Sequence, residues 1–170
     1  MATKVRTEGS VIPDSWFRSQ TFSSPICTIS DRARERRAAG LGDGERALGP
    51  FVLPPFQRPP VWTEAQKVRF IESIWMGLPI GSYVVNAGKY GSRFDDWLLD
   101  GQQRVTAILD YMADALSVYG RVFSALPEVV HRGFEFGRVF TRLETKIENE
   151  AELREVYDRL AYGGTPHEPK

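Results

Sequence analysis

The fold is decided by residues 97–105, which carry the sequence WLLDGQQRV. The apolar start is typical of a buried strand, Asp100-Gly101 predicts a turn, and the residues after it begin a helix. Backbone N–H groups at a helix N-terminus carry partial positive charge, glycine lets a ligand approach the main chain, and the Arg104 guanidinium can fork onto phosphate. The stretch therefore predicts an anion site at a strand-to-helix corner. The alternative is a plain connection whose polar residues face solvent.

The composition excludes several classes of protein. The chain has 170 residues, 42% of them hydrophobic, and 22 Lys and Arg residues balance 22 Asp and Glu residues. This size favours one domain, and the absence of net charge gives no overall attraction to nucleic acid or membrane. A single Cys27 excludes an internal disulfide, and 2 histidines are too few for a His-rich metal nuclease centre. Without a long apolar run or a signal peptide, we expect a cytoplasmic protein with no membrane contact.

The first part of the chain differs in composition from the rest. Residues 1–49 are polar and contain several glycines, and we expect them to form an N-terminal extension to a domain at 50–170. A charged segment from Ser30 to Gly40 has the pattern of a short solvated helix. Trp16, Phe17 and Phe22 indicate that the extension docks against its own fold or a partner.

Hydrophobic spacing predicts the elements of the domain. Strands are expected at 51–53, 80–86 and 96–99, with one or two more in 134–143 after interruptions at Pro127 and Gly133. Helices are expected from a capping box at Thr63 to Gly77, from the Asp-Gly turn to Leu116, and from Asn149 to Tyr162, where Gly163 can end the helix. This order predicts an α+β fold, in which a small mixed sheet is flanked by helices.

Three motifs in this order resemble one protein family. They are PFQR at 55–58, SIWMGLPI at 73–80 and LDGQQR at 99–104. Through them the chain is similar to the DGQQR family of the ParB/sulfiredoxin-like fold, known from the NTP-hydrolysing half of GmrSD-type modification-dependent restriction enzymes and from related phage-defence proteins. The segment 157–165 resembles a further element of that family, with Ala161 where an asparagine is usual.

The resemblance implies a nucleoside triphosphate site that uses Mg²⁺. Asp100 is implied as a Mg²⁺ ligand or as the acceptor of a proton from the attacking water. Gln102 or Gln103 would orient that water. Gly101 and the amides after it would cradle phosphate, and Arg104 would neutralise the charge that builds during phosphoryl transfer.

A second motif extends the implied site. Gln57 and Arg58 occupy the place of a Gln-Pro-Arg element in ParB proteins, which implies a further contact to the phosphates. The alternative for Arg58 is a surface ion pair without function. Sulfiredoxin chemistry is not expected, because Gln102 stands where that family has its nucleophilic cysteine, and Cys27 lies in the polar N-terminal part.

Three functions stay open at this stage. The first is a Mg²⁺-dependent NTPase, with DNA as a candidate stimulator, acting in phage–host conflict. The second is a module that binds nucleotide or DNA without turnover and regulates a partner. The resemblance implies a His-Asn-His nuclease domain that this chain lacks. We therefore expect a stand-alone form, a homo-oligomer or a separate nuclease chain. The third is a nuclease in which Asp95, Asp96 and Asp100 hold a metal ion.

Overall fold

The computed structural model describes residues 15–29, 40–89 and 91–162, which form one mixed sheet with helices on both faces. The strands are β1 (Gln20–Pro25), β2 (Arg46–Leu48), β3 (Phe51–Leu53), β4 (Ser82–Asn86), β5 (Trp97–Asp100) and β6 (Val139–Thr145). The helices are α1 (Glu64–Trp75), α2 (Gln102–Met112), α3 (Glu128–Glu135) and α4 (Glu150–Tyr162), with a 3-10 turn at Phe123–Ala125. Within these residues the strand order is β1-β6-β4-β5-β3-β2. The predicted α+β class is confirmed.

Alternation along the strands divides the apolar core into two clusters. Leu98 of β5 belongs to a large cluster shared with α1, α2 and α3, whereas its neighbours Trp97 and Leu99 belong to a smaller cluster shared with α4. Successive side chains of a strand point to opposite faces, so a strand covered on both faces must be apolar throughout. This accounts for the unbroken apolar runs at 51–53 and 97–99.

The direction of two central strands determines where the predicted site lies. β3 and β5 are parallel neighbours aligned at Val52 and Trp97, and β4 runs antiparallel to β5. The ends of β3 and β5 and the start of β4 therefore meet at one edge of the sheet, which we call the carboxyl edge and define as residues 54–62, 81–83 and 100–104. Open sheets bind ligands outside the carboxyl ends of parallel strands.

Two helices begin where their capping signals predicted. The Thr63 hydroxyl accepts a hydrogen bond from the Gln66 amide, and the Gln66 side chain accepts one from the Thr63 amide at 2.8 Å. The Asn149 side chain accepts from the amides of Ala151 and Glu152 at 2.9 and 3.2 Å. These bonds satisfy donors that the first turn of a helix leaves unpaired.

The segment 134–143 differs from its prediction. Phe134 lies in α3, fully buried with its ring 5.0 Å from that of Trp75, and the strand begins only at Val139. Pro127 introduces the helix rather than interrupting the chain, because its fixed φ suits a helix start and its missing N–H is not needed there. Gly133 lies inside the helix. The prediction of a strand starting at Phe134 is therefore wrong.

The N-terminal segment takes part in the sheet. β1 pairs with β6 and β2 pairs with β3, so residue 49 does not mark a boundary of the sheet. Trp16 and Phe17 pack against the smaller core cluster, which agrees with docking of this segment on its own fold. The helix predicted after Ser30 lies outside the described residues. Among the helices that are described, none combines the length and apolar character needed to cross a membrane.

Candidate functional site

The strand-to-helix corner at 100–104 forms as the sequence predicted. β5 ends at Asp100, Gly101 adopts a left-handed conformation with φ 95°, and α2 begins at Gln102. The Val105 amide donates to the Gly101 carbonyl at 2.9 Å, which is the first hydrogen bond of the helix. The corner lies at the carboxyl edge, and the backbone amides of the first turn of α2, which have no partner within the helix, lie there too.

Gly101 is required by packing as well as by backbone conformation. A Cβ at this position would lie 2.5 Å from the Cβ and 3.1 Å from the Cα of Tyr83 in β4. Real Cβ atoms essentially never make contacts this short, so β4 can lie this close to the corner only because Gly101 has no side chain. On this side Gly101 admits a neighbouring strand, and not the ligand that the sequence led us to expect there.

Arg104 is held against the start of β4. Its Nη2 donates to the Asp100 carboxylate and to the Ser82 carbonyl, both at 2.7 Å. Its Nε is enclosed and has no hydrogen-bond partner in the described part of the chain. The side chains of Arg104 and Asp100 keep 27% and 41% of their exposure, so the pair is accessible from solvent. The structure thus brings Asp100 and Arg104 together as an ion pair between residues four apart in the chain.

Gln103 links the two predicted motifs. Its side-chain oxygen accepts from the amides of Val61 and Trp62 at 3.2 and 3.1 Å. These amides belong to the connector 54–62 that contains the PFQR motif. Gln103 therefore ties that connector to the corner, and its acceptor oxygen is already engaged. The spacing of the motifs carries no signal for this contact.

Two further glutamines of the predicted site are buried. Gln57 and Gln102 are each only 6% exposed. The Gln57 side-chain oxygen is enclosed without a hydrogen-bond partner among the described residues, although its backbone carbonyl accepts from Arg46 at 2.7 Å. Buried polar atoms are normally paired with protein, water or ligand. The Gln57 side-chain oxygen can therefore accept a hydrogen bond from a group outside the described residues, such as a water or a ligand.

Helix α4 anchors the connector from the other side. The amide of Arg58 donates to the Tyr157 hydroxyl at 3.1 Å, and the Phe56 ring lies 5.4 Å from that of Tyr157. Burial raises the pKa of Tyr157 above its ordinary value. The Arg58 residue itself is exposed. In the sequence analysis, Tyr157 is included only as the first residue of the segment 157–165, and no local pattern could have indicated its contact to a residue so distant in the chain.

The three aspartates proposed for a nuclease centre do not come together. Asp96 precedes β5 and Asp100 ends it. At about 3.3 Å per residue along an extended strand, the Cα atoms of Asp96 and Asp100 lie roughly 13 Å apart. Within the described ranges, no group of three or more His, Cys, Asp or Glu residues could hold a metal ion. The prediction of a site built from Asp95, Asp96 and Asp100 is therefore wrong for this conformation.

A separate groove lies on the outer face of α4. It is open to solvent, has a volume of about 500 Å³ and is lined by Ala151, Arg154, Glu155, Asp158, Arg159 and Tyr162. Its charged residues pair along the helix, Arg159 with Glu155 at 3.1 Å and Arg154 with Asp158 at 4.0 Å. None of the predicted site residues lines it. The groove is therefore not the predicted anion site, although Arg154 also lies over the Phe56 ring at 5.7 Å.

Comparison with known proteins gives one family. Residues 40–168 match the model described as GmrSD restriction endonuclease, N-terminal domain. No curated protein sequence and no solved structure matches the chain. The matched range contains the whole carboxyl edge, while β1 lies outside it.

Proposed function

Because this chain belongs to the family of GmrSD restriction endonuclease N-terminal domains, we propose that it binds a nucleoside triphosphate at the carboxyl edge and hydrolyses it with Mg²⁺. The family gives the chain a role in restriction and phage defence, and we propose the cytoplasm as its place of action. The proposal depends on one observation, which is that the two sequence motifs lie next to each other in the fold. The PFQR connector and the DGQQR corner leave neighbouring parallel strands at one edge and are joined through Gln103.

The start of α2 supplies the phosphate contacts in this proposal. Its unpaired amides and partial positive charge favour an anion. Arg104 exchanges its bond to Asp100 for a phosphate oxygen, and the exposed Arg58 adds a second cation. Magnesium nucleotides bring their ion with them and need only one or two carboxylates from the protein. Asp100, with 41% of its side chain exposed, fits that requirement, and the ion would offset charge on the phosphate oxygens.

The side-chain amides of three glutamines take the remaining roles in this proposal. A buried polar atom without a partner costs about 1–3 kcal/mol. Gln57 carries such an atom, and a hydroxyl of the nucleotide or a water held with it would satisfy the amide. We assign the orientation of the attacking water to Gln102, which makes no side-chain hydrogen bond to the described residues. Gln103 is assigned to positioning, because two backbone amides occupy its oxygen.

A second candidate function is binding without turnover. It is favoured by the ion pair of Arg104 with Asp100, because a phosphate that takes Nη2 of Arg104 must displace the Asp100 carboxylate from it. Such an opening could change the surface offered to a partner, for which a separate nuclease chain, DNA or another copy of the chain are the candidates. Occupancy of the site, and not hydrolysis, would then be the signal.

The test separates binding from hydrolysis. Phosphate release is measured for the four NTPs with Mg²⁺, with and without DNA, and binding is measured by calorimetry and thermal shift. Arg104→Ala is compared with Lys67→Ala, because Lys67 forms an ion pair of the same 2.7 Å length at the far end of α2. We expect Arg104→Ala to abolish binding and release, and Lys67→Ala to keep both.

Each outcome decides between the functions. Phosphate release that depends on Arg104 supports the enzyme. Nucleotide binding that depends on Arg104, without release, supports the regulatory module. If no NTP stabilises the wild-type protein or binds to it, both proposals are refuted.

A further inference from the structure

β1 is an edge strand of the sheet, and no other described strand pairs with its outer side. In the described part of the chain β1 pairs only with β6, and residues 20–23 are exposed. The strand QTFSSP carries no charge. Natural edge strands are commonly protected from pairing by lysines, by prolines or by their shortness. Here the only such device is Pro25, at the end of the strand.

The hydrogen-bond ladder shows which groups face outward. The Ile26 amide donates to the Arg138 carbonyl at 3.0 Å, in register with the pairing of β1 and β6. Groups of an antiparallel strand alternate between its two sides. Gln20, Phe22 and Ser24 therefore direct their backbone groups to β6, and Thr21 and Ser23 direct theirs away from the sheet.

We propose that β1 pairs in antiparallel fashion with β1 of a second copy of this chain. The two-fold axis passes beside Phe22, so that Thr21 of each copy lies opposite Ser23 of the other. Both residues then use their outward N–H and C=O groups, which gives four hydrogen bonds across the axis. The two sheets become one continuous sheet.

The strand is complementary to itself in this register. Phe22 occupies a position where an antiparallel pair brings Cα atoms to about 4.5 Å, so the two Phe22 rings meet on the same face. Phe22 is 42% exposed in the single chain, and pairing covers both copies of it at once. No like charges oppose each other, because the strand has none.

The ends of the strand limit the pairing. Pro25 has no N–H, and its carbonyl accepts from the Thr28 hydroxyl at 2.8 Å, so the ladder cannot extend beyond Ser23 on that side. The other edge strand, β2, has only three residues, Arg46–Leu48, and the Arg46 side chain is bonded to the Gln57 carbonyl. The short ladder predicts a weak dimer whose population rises with protein concentration.

Cross-linking tests the register. Phe22→Cys places two thiols face to face across the axis, at a Cα separation that suits a disulfide. In the matched control Ser24→Cys, each thiol lies opposite Gln20 of the partner and not opposite its own counterpart. We expect covalent dimer from Phe22→Cys under mild oxidation and little from Ser24→Cys or from the wild type, whose Cys27 is buried.

Association is measured independently of these variants. Analytical ultracentrifugation of the wild type should show a mass that rises with concentration, and the amides of Thr21 and Ser23 should exchange more slowly at high concentration. The double variant Thr21→Lys, Ser23→Lys should stay monomeric, while Val129→Lys, an exposed change on α3, should not. A wild type that is monomeric at every concentration, or equal cross-linking of both cysteine variants, would overturn the proposal.

Discussion

Gly101 meets Tyr83 so closely that a Cβ on Gly101 would lie 2.5 Å from the Cβ of Tyr83. This contact joins β4 to Gly101, the residue that follows Asp100 in the DGQQR corner. Because Arg104 also bonds the carbonyl of Ser82, the corner is fixed to β4 at two adjacent positions. The geometry of the proposed site therefore depends on the pairing of β4 with β5.

Replacing Gly101 by alanine should destabilise the domain strongly. Left-handed backbone costs an L-residue roughly 1–2 kcal/mol and overpacking adds about 1–3 kcal/mol, so we expect a loss of about 2–5 kcal/mol. Urea denaturation followed by tryptophan fluorescence measures the free energy of unfolding.

Two other glycines separate these causes. Gly77 has a similar φ of 74° but open space around its Cβ position, so Gly77→Ala should cost only the roughly 1–2 kcal/mol of backbone strain. Gly133 lies in α3, also with open space, and Gly133→Ala should stabilise by about 0.5–1 kcal/mol. Equal losses at Gly101 and Gly77 would contradict the packing argument.

Gln103→Ala should release the connector from the corner. The amides of Val61 and Trp62 lose their shared acceptor, so hydrogen exchange at these amides should accelerate while the stability falls by only about 1 kcal/mol. Gln103→Glu keeps an acceptor oxygen and should restore their protection. Unchanged exchange in Gln103→Ala would show that the connector is held by its other contacts.

The elements around the carboxyl edge could be predicted because neighbouring residues determine them. The capping box at Thr63 and the Asp-Gly turn are complete within a few residues of sequence, and both form as predicted. The apolar run before Asp100 could be assigned to a buried strand for the same reason. Such local signals were sufficient for the α+β class and for the position of the corner.

The contacts that complete the site depend on the register of the sheet and could not be predicted. The approach of Tyr83 to Gly101 and the bonds of Gln103 to the connector join segments that only the fold brings together. The strand β1 escaped prediction because its residues are exposed and polar, without a strong apolar alternation. Phe134 was assigned to a strand because its burial in a short helix depends on contact with Trp75 of α1, which local sequence does not show.

Alkaline pH should weaken the domain through its buried tyrosines. Burial raises the pKa of Tyr157 and of Tyr111 above the ordinary value of 10.0. A raised pKa in the folded state means that the stabilisation is complete below the unfolded pKa and is lost as pH rises through the folded pKa. We expect the free energy of unfolding to fall as pH rises above about 10.

The variant Tyr157→Phe assigns the share of one residue. At neutral pH it should cost about 1 kcal/mol, because the Arg58 amide loses its acceptor. Above pH 10 its stability should fall less steeply than that of the wild type, because one titrating phenol is gone. Parallel pH curves for the two proteins would contradict the role of Tyr157 in this loss.

Asp100→Asn should separate nucleotide affinity from turnover. The Asp100 carboxylate engages Arg104 at 2.7 Å and repels incoming phosphate, so its neutralisation frees the guanidinium for the ligand. Because exposed ion pairs contribute about 0–1 kcal/mol, we expect Mg²⁺-free nucleotide to bind up to about fivefold more tightly.

In Mg²⁺, phosphate release by Asp100→Asn should fall at least about tenfold, because the proposed ligand of the ion is lost. Calorimetry in EDTA and phosphate release in Mg²⁺ make the two measurements. Asp110→Asn is the control, since Asp110 lies at the far end of α2 and pairs with Lys67 of α1. Weaker binding of Mg²⁺-free nucleotide by Asp100→Asn would show that Asp100 holds Arg104 in place for the ligand instead of competing with it.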